Sequence, residues 1–376
     1  MDFQLSDDQR ALRSGMRDLL GAVFDRDRLR AAVERDGALD RSLWRELGAA
    51  GFFALRLPEE AGGVGLGLPE AVLLFEEAGR ALLPGPLVAT HLAAGLVKGA
   101  AEGEAVVTAV AGELPVAHLA EADAVLVVGG EAAGLPGEEA FGETLSGEAL
   151  RAFVAAARPV RSMDPLTPLH RAPAGAAVAG AGRVSATEGT RAASERTRAD
   201  AERAPAATER TPAHAGRLRV EAVLLTAAEQ LGSAARTTEA AVQHAGERQQ
   251  FGSPIGSFQA VKHLCADMLA RTEPARAAVY AAAVTGDPVE IAAAKLLADE
   301  AAVRNARDCL QIHGGMGFTW EADVHLHLKR AWLRAASWLT GAGAEELLAA
   351  GLGTAGRLPR SSAAYGRPVP EAGGGG

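Results

Sequence analysis

Apolar residues recur at helical spacing over both ends of this chain and lose that spacing in the middle. Near the start, Leu12, Met16, Leu19 and Leu20 fall on one face at three- and four-residue steps, the period of an amphipathic helix. Ser6 precedes that face with Gln9 three residues on, the pattern of a capping box. The stretch "SLWRELGAAGFFALRLPEEAGGVGLGLPEAVLLFEEAGRALLPGP" then reads as helix, turn, helix. Gly62, Gly63 and Gly65 break the chain before a helix that begins near Pro69, and Pro84 and Pro86 stop it. Residues 1–100 therefore predict a helical domain. The helical signal returns more strongly over 216–352. There "EAVLLTAAEQLGSAARTTEAAVQHAGERQQ" and "SFQAVKHLCADMLART" precede two further alanine- and leucine-rich runs. Phe258, Val261, Cys265 and Met268 line one side of the second segment, and about four helices with short breaks predict an antiparallel four-helix bundle.

Between 101 and 173 the texture changes. "EAVVTAVAG" and "ADAVLVVGG" are short β-branched runs ending in glycines, which suit strands. They predict a small β-rich middle domain whose exit is "RSMDPLTPLHRAP". Residues 174–215 repeat Glu-Arg at Glu195, Glu202 and Glu209, but the apolar positions are almost all alanine and prolines interrupt them. Too little apolar surface is on offer to repay chain ordering, so a low-complexity, disordered insert is expected there. Residues 353–376 read as a flexible tail. The fold class expected is mainly α with a small β middle domain.

Composition narrows the function. The net charge is −9 and no block of Lys or Arg exists, which argues against a nucleic-acid partner that must release phosphate counterions. Cys265 and Cys309 are the two cysteines and both lie in helical patterns, so neither a disulfide framework nor a zinc spacing can be built. The acidic start "MDFQLSDDQR" lacks the apolar core of a leader. The longest apolar run is short of a bilayer and contains two prolines. A cytoplasmic protein without a membrane span is the expectation.

Two polar breaks interrupt the C-terminal helices. In "ERQQFGSPIGSFQAVKH" (247–263), Arg248 is a fixed planar cation suited to phosphate, and Phe251 offers a face for a planar ring. Gly252 and Pro254 force a turn, and Gln259 falls in the first turn of the next helix, where free backbone N–H groups meet anions. In "QIHGGMGF" (311–318), Gln311 ends a helix, and Gly314, Gly315 and Gly317 allow close approach of a backbone. Either break alone reads as a helix stop. Together, with an amide in each, they point to a ligand carrying both phosphate and an aromatic ring.

These two motifs resemble the C-terminal signatures of the acyl-CoA dehydrogenases. "MDFQLSDDQRALR" and "LPEEAGGVGLG" are similar to that family's N-terminal helical domain, and the matches together cover about two-thirds of the chain. The resemblance implies a helical domain, a β-domain and a four-helix bundle, assembled as dimers or tetramers. It implies FAD as cofactor and an acyl-CoA thioester as substrate. Carried over, Arg248 meets the pyrophosphate of an FAD bound mainly to a neighbouring subunit. Phe251 and Gln259 lie along its adenosine half, and Gln311, Gly314 and Gly315 close on the same dinucleotide.

The sequence departs from the family in two places. The family's Thr-Glu-Pro run and Trp-Ile-Thr/Ser segment, which bind the flavin ring, have no counterpart between 101 and 172, an interval without tryptophan. The middle domain is therefore expected to be shortened. The base is also missing from its usual place: "ASWLTGAGAEE" sets Trp338 and Leu339 where most members carry a glutamate. Glu345 and Glu346 follow as an exposed helix start, and Glu221 and Glu229 lie on the helix that carries the base in another branch. Removing an α-proton while the flavin takes the β-hydride needs one aligned geometry, so no residue is assigned as the base. His325 and His327, two apart near Asp323, point in different directions on a helix and do not make a metal site. His313 is read as a loop histidine without a role. Three readings stay open. One is a working acyl-CoA dehydrogenase in a homo-oligomer. Another is a base-lacking, clamp-supplying subunit of a heterotetramer with a related chain. The last is a flavin monooxygenase or oxidase on the same fold.

Overall fold

The computed structural model describes residues 4–112, 114–128, 142–172 and 212–355. The expected insert lies outside the described residues up to residue 211, and so does the tail from residue 356.

The N-terminal part comprises α1 (Asp7–Val23), α2 (Arg26–Glu34), α3 (Arg41–Ala49), α4 (Leu68–Arg80) and α5 (Leu87–Leu92). The capping box forms: Ser6 Oγ accepts from the Gln9 N–H, and Gln9 Oε1 accepts from the Ser6 N–H, each at 3.1 Å. Met16 and Leu20 of α1 are buried, with Leu12 and Leu19 packed at the edge of the same core. Trp44 and Phe53 pack with ring centres 4.7 Å apart, and Phe52 meets Phe75 at 5.1 Å. Such large rings supply much of the apolar burial that orders this part.

The β-branched runs become β1 (Val107–Ala111) and β3 (Ala124–Val128), which pair in parallel, with β4 (Gly142–Ser146) antiparallel to β3. A second small sheet orders β2 (Val116–Ala117), β6 (Leu169–Arg171) and β5 (Arg158–Val160). Between the sheets in sequence runs α6 (Gly147–Ala156). β3 is buried at every position, so it reads as a continuous apolar run rather than an alternating one.

The C-terminal part consists of α7 (Pro212–Glu247), α8 (Gln259–Thr285), α9 (Pro288–His313), α10 (Val324–Ala336) and α11 (Gly341–Ala355). α7 to α10 make the expected bundle, and α11 packs on α9 as a fifth helix. Two boundaries move. α7 begins at Pro212, inside the stretch expected to be disordered, because proline is well suited to a first helical turn. Phe258 is not on the buried side of α8: it stands at the N-cap, 39% exposed, while Met268 is buried.

No helix among the described residues is long and apolar enough to cross a membrane. The N-terminal helices are fixed to the bundle by α4, which lies along α7 and buries Ala71 through Gly79. The two helices approach through Gly79 and Gly232. A β-carbon on Gly232 would collide with the Glu76 carbonyl, and one on Gly79 with the Glu229 backbone. Gly232→Ala is therefore expected to cost about 1–3 kcal/mol through overpacking of two backbones that cannot separate freely. An unchanged urea midpoint would show that the crossing relaxes without cost.

Candidate functional site

α7 ends at Glu247, and β7 (Gln249–Gln250) and β8 (Ser253–Pro254) follow at once as a two-residue hairpin. Both turn residues have positive φ, Phe251 at 52° and Gly252 at 79°, as a tight hairpin with matching strand twist requires. Glycine adopts this freely, whereas a left-handed phenylalanine costs about 1–2 kcal/mol. The Phe251 ring is 92% exposed, so burial within this chain does not repay that cost. It stands edge-on to Phe258 at 6.0 Å. Phe258 caps α8 without a side-chain hydrogen bond, which leaves the first N–H groups of that helix available to an anion.

The second break starts two residues later than the sequence implies. α9 continues through Gln311 to His313, and the reversal falls on Gly314, with φ 60° and ψ −141°. A short 3₁₀ turn, Gly314–Phe318, follows. A β-carbon on Gly315 would touch nothing within 4 Å. The open space there is not required by packing inside this chain.

A stacked pair of histidines brings the two breaks together. His244, in the last turn of α7, lies over His313, the last residue of α9, with ring centres 4.1 Å apart and planes 16° from parallel. Arg248 donates its backbone N–H to the His244 carbonyl at 2.9 Å. Burial, then the charges of His313 and Arg248, hold His244 below the usual imidazole range. His313 thus has a structural role that the sequence did not disclose. Arg248, Gln259, Gln311 and Gly315 are exposed, and Gly314 is half-buried. No hydrogen bond to the Arg248 guanidinium exists among the described residues. An open guanidinium, a solvent-facing ring and two unobstructed glycines at one end of the bundle suit a nucleotide's phosphate and base.

The glutamates on α7 are committed elsewhere. Glu221 accepts from Arg56 at 2.8 and 3.2 Å. Glu229, 6% exposed, accepts from Arg334 at 2.8 Å. Glu345 and Glu346 are exposed on α11. Asp323 is held by Arg26 and Arg30, His325 stacks on Trp320 at 5.0 Å, and His327 meets Ser233 at 2.7 Å. No cluster that could hold a metal ion occurs among the described residues.

Nothing in the local pattern marked the α2 arginines. Arg26 donates to the Glu321 carbonyl at 2.8 Å, and Arg30 donates to the Glu321 carbonyl at 2.7 Å and to that of Trp320. They hold the segment after the second break against the N-terminal helices.

Burial also sets an acid limit on the fold. It pushes His327 down to about 3 and His91 down to about 4, whereas each takes a proton near 6.5 when unfolded. The unfolded chain thus binds more protons below pH 6.5, so this stability is complete above 6.5 and drains away as pH falls toward 4. Melting temperatures should decline across that window, and His327→Gln should flatten the decline. A wild-type profile level between pH 6.5 and 4.5 would refute the assignment.

The fold and the paired breaks define a family. The sequence models of the acyl-CoA dehydrogenase N-terminal and C-terminal domains match residues 6–102 and 215–355, and the chain belongs to the acyl-CoA dehydrogenase family. This makes FAD its cofactor and oxidoreductases acting on CH–CH groups its enzyme class. The chain is 35% identical over 308 residues to the acyl-CoA dehydrogenase IpdE2 of Mycobacterium tuberculosis, covering 81% of this chain and 84% of that one. It is 34% identical to the acyl-CoA dehydrogenase FadE34 of the same organism, covering 86% of this chain and 46% of FadE34. Two solved structures share the fold. The ChsE4-ChsE5 complex from Mycobacterium tuberculosis gives a TM-score of 0.69 at 21% identity, over 96% of this chain and 100% of the other. PigA with FAD and proline gives 0.72 at 20% identity, over 94% and 99%.

Proposed function

We propose that this chain is the base-lacking, FAD-clamping subunit of a heteromeric acyl-CoA dehydrogenase that introduces an α,β double bond into an acyl-CoA thioester. One contrast carries the reading. Five of the six clamp residues are exposed and Gly314 is half-buried, whereas Glu221 and Glu229, the α7 glutamates considered as a base, are tied up in ion pairs within the chain.

When bound, FAD supplies the acceptor for the β-hydride. In this reading Arg248 binds the pyrophosphate through its guanidinium, and the free N–H groups at the start of α8 add to that anion site. Phe251 and Gln259 flank the adenosine half. Gln311 reaches the same dinucleotide, and Gly314 and Gly315 let the backbone close on it. The flavin ring and the base are then supplied by a related chain. The ChsE4-ChsE5 complex, at 21% identity, shares this fold and supports the heteromeric part of the reading.

The test is flavin stoichiometry. Purified alone, the chain should be colourless. Co-expressed with a related acyl-CoA dehydrogenase chain, it should co-purify in a yellow complex that bleaches with acyl-CoA. A yellow, acyl-CoA-bleachable homo-oligomer of this chain alone would refute the partner-subunit reading.

A further inference from the structure

A cavity of about 480 Å³ lies between the N-terminal helices and the bundle, behind the His244–His313 stack. Its size falls in the range of small-molecule sites. None of the six residues assigned to the nucleotide clamp lines it. Its walls come from the α1–α2 junction, the end of α4, the C-terminal half of α7, His313 and Met316 of the second break, and the segment around Asp323.

The charges in those walls are mostly spent. Asp25 caps α2 by accepting the Arg28 N–H at 2.9 Å. Asp323 is held by Arg26 and Arg30, and Arg80 is held by Glu239 and Glu77. Glu247 and Glu321 are exposed at the rim. Arg236 is different: among the described residues it makes no hydrogen bond or ion pair, and it is only half-exposed. Glu239, held by Arg80, reaches it only through space, so this half-buried guanidinium forgoes the charge-assisted hydrogen bonds its geometry favours.

Next to it in the wall is His327, 7% exposed. Ser233 Oγ lies 2.7 Å from Nδ1 and makes no other hydrogen bond among the described residues. Donation by the hydroxyl to Nδ1 is the arrangement that leaves no buried O–H unpaired, and it places the ring proton on Nε2. No protein group accepts from Nε2 among the described residues. Burial, and the neighbouring charges led by Arg236, keep the ring neutral. The wall thus offers one positive charge and one neutral N–H donor, with Leu29, Leu82 and Val324 supplying apolar surface. That set balances a monoanion and leaves a phosphate dianion under-compensated.

We propose that this cavity binds a small organic carboxylate, its carboxylate on Arg236 and the His327 Nε2–H and its apolar body against Leu29 and Leu82. The site adjoins the nucleotide clamp but shares none of its six residues, and it does not depend on the partner-subunit reading.

Isothermal titration of the full-length protein with 2-naphthoate, 2-naphthamide and inorganic phosphate tests the site. Saturable one-to-one binding of naphthoate is expected, with the uncharged amide at least tenfold weaker and phosphate failing to displace it. Arg236→Gln should weaken naphthoate binding at least tenfold and Arg236→Lys much less, with flavin content of the assembled protein unchanged in both. The wild-type amide comparison decides the matter even if a variant folds poorly. Absence of saturable naphthoate binding, equal binding of the amide, displacement by phosphate, or binding indifferent to Arg236→Gln would each overturn the proposal.

Discussion

Arg248→Ala is expected to weaken flavin retention by about ten- to a hundredfold in the assembled protein. A charge-assisted hydrogen bond contributes roughly 1.5–3 kcal/mol, and each 1.4 kcal/mol is tenfold in affinity. The folded state should be indifferent to the change, because the exposed guanidinium makes no hydrogen bond within the described chain. Surface substitutions of that kind fall within about 0.5 kcal/mol. Lysine should recover only part of the loss, since a point charge replaces a planar fork. Flavin release after dilution, followed by fluorescence, reads the effect. Retention equal to wild type at unchanged assembly would remove Arg248 from the cofactor site.

Glu229→Ala is expected to have the opposite profile, costing about 3–5 kcal/mol of stability. Glu229 and Arg334 are both nearly fully buried, and burial pushes the arginine down to about 10 even with its partner in place. Removing the carboxylate strands a buried cation. Arg334 has further duties, since Lys295 Nζ donates to its carbonyl at 3.0 Å and pairs with Asp299. A loss of that size is a large fraction of a domain's total stability. Urea titration should show a lowered midpoint at unchanged slope. Glu345→Ala on exposed α11 should leave the midpoint within about 0.5 kcal/mol. If Glu229→Ala instead kept its stability and abolished turnover, Glu229 would be a base rather than a strut.

Much of the scaffold could be read from spacing. The Ser6–Gln9 box, the Leu12–Leu20 face and the strands at Val107–Ala111 and Ala124–Val128 depend on neighbours in sequence, and the structure forms each. Other features depend on partners far along the chain. Glu229 and Arg334 are 105 residues apart, and nothing local distinguishes that carboxylate from a solvated one. The His244–His313 stack joins helix ends 69 positions apart, and with the packing of Ala245 and Ile255 beside Leu310 and Ile312 it sets the two polar breaks at one end of the bundle. The hold of Arg26 and Arg30 on the segment after the glycines was equally hidden, because arginines on a short helix carry no sign of what they reach. Local rules described the elements, and long-range pairing decided which polar groups remain open for chemistry.

A complex made with Glu221→Gln tests most directly whether this chain contributes a base. Glutamine keeps a hydrogen-bond acceptor for Arg56 but cannot take a proton. Mixed anaerobically with acyl-CoA, the flavin of that complex should bleach at the wild-type rate within about twofold. A slowing of a hundredfold or more, in the general-base range, would make Glu221 catalytic and contradict the division of labour proposed for the two chains.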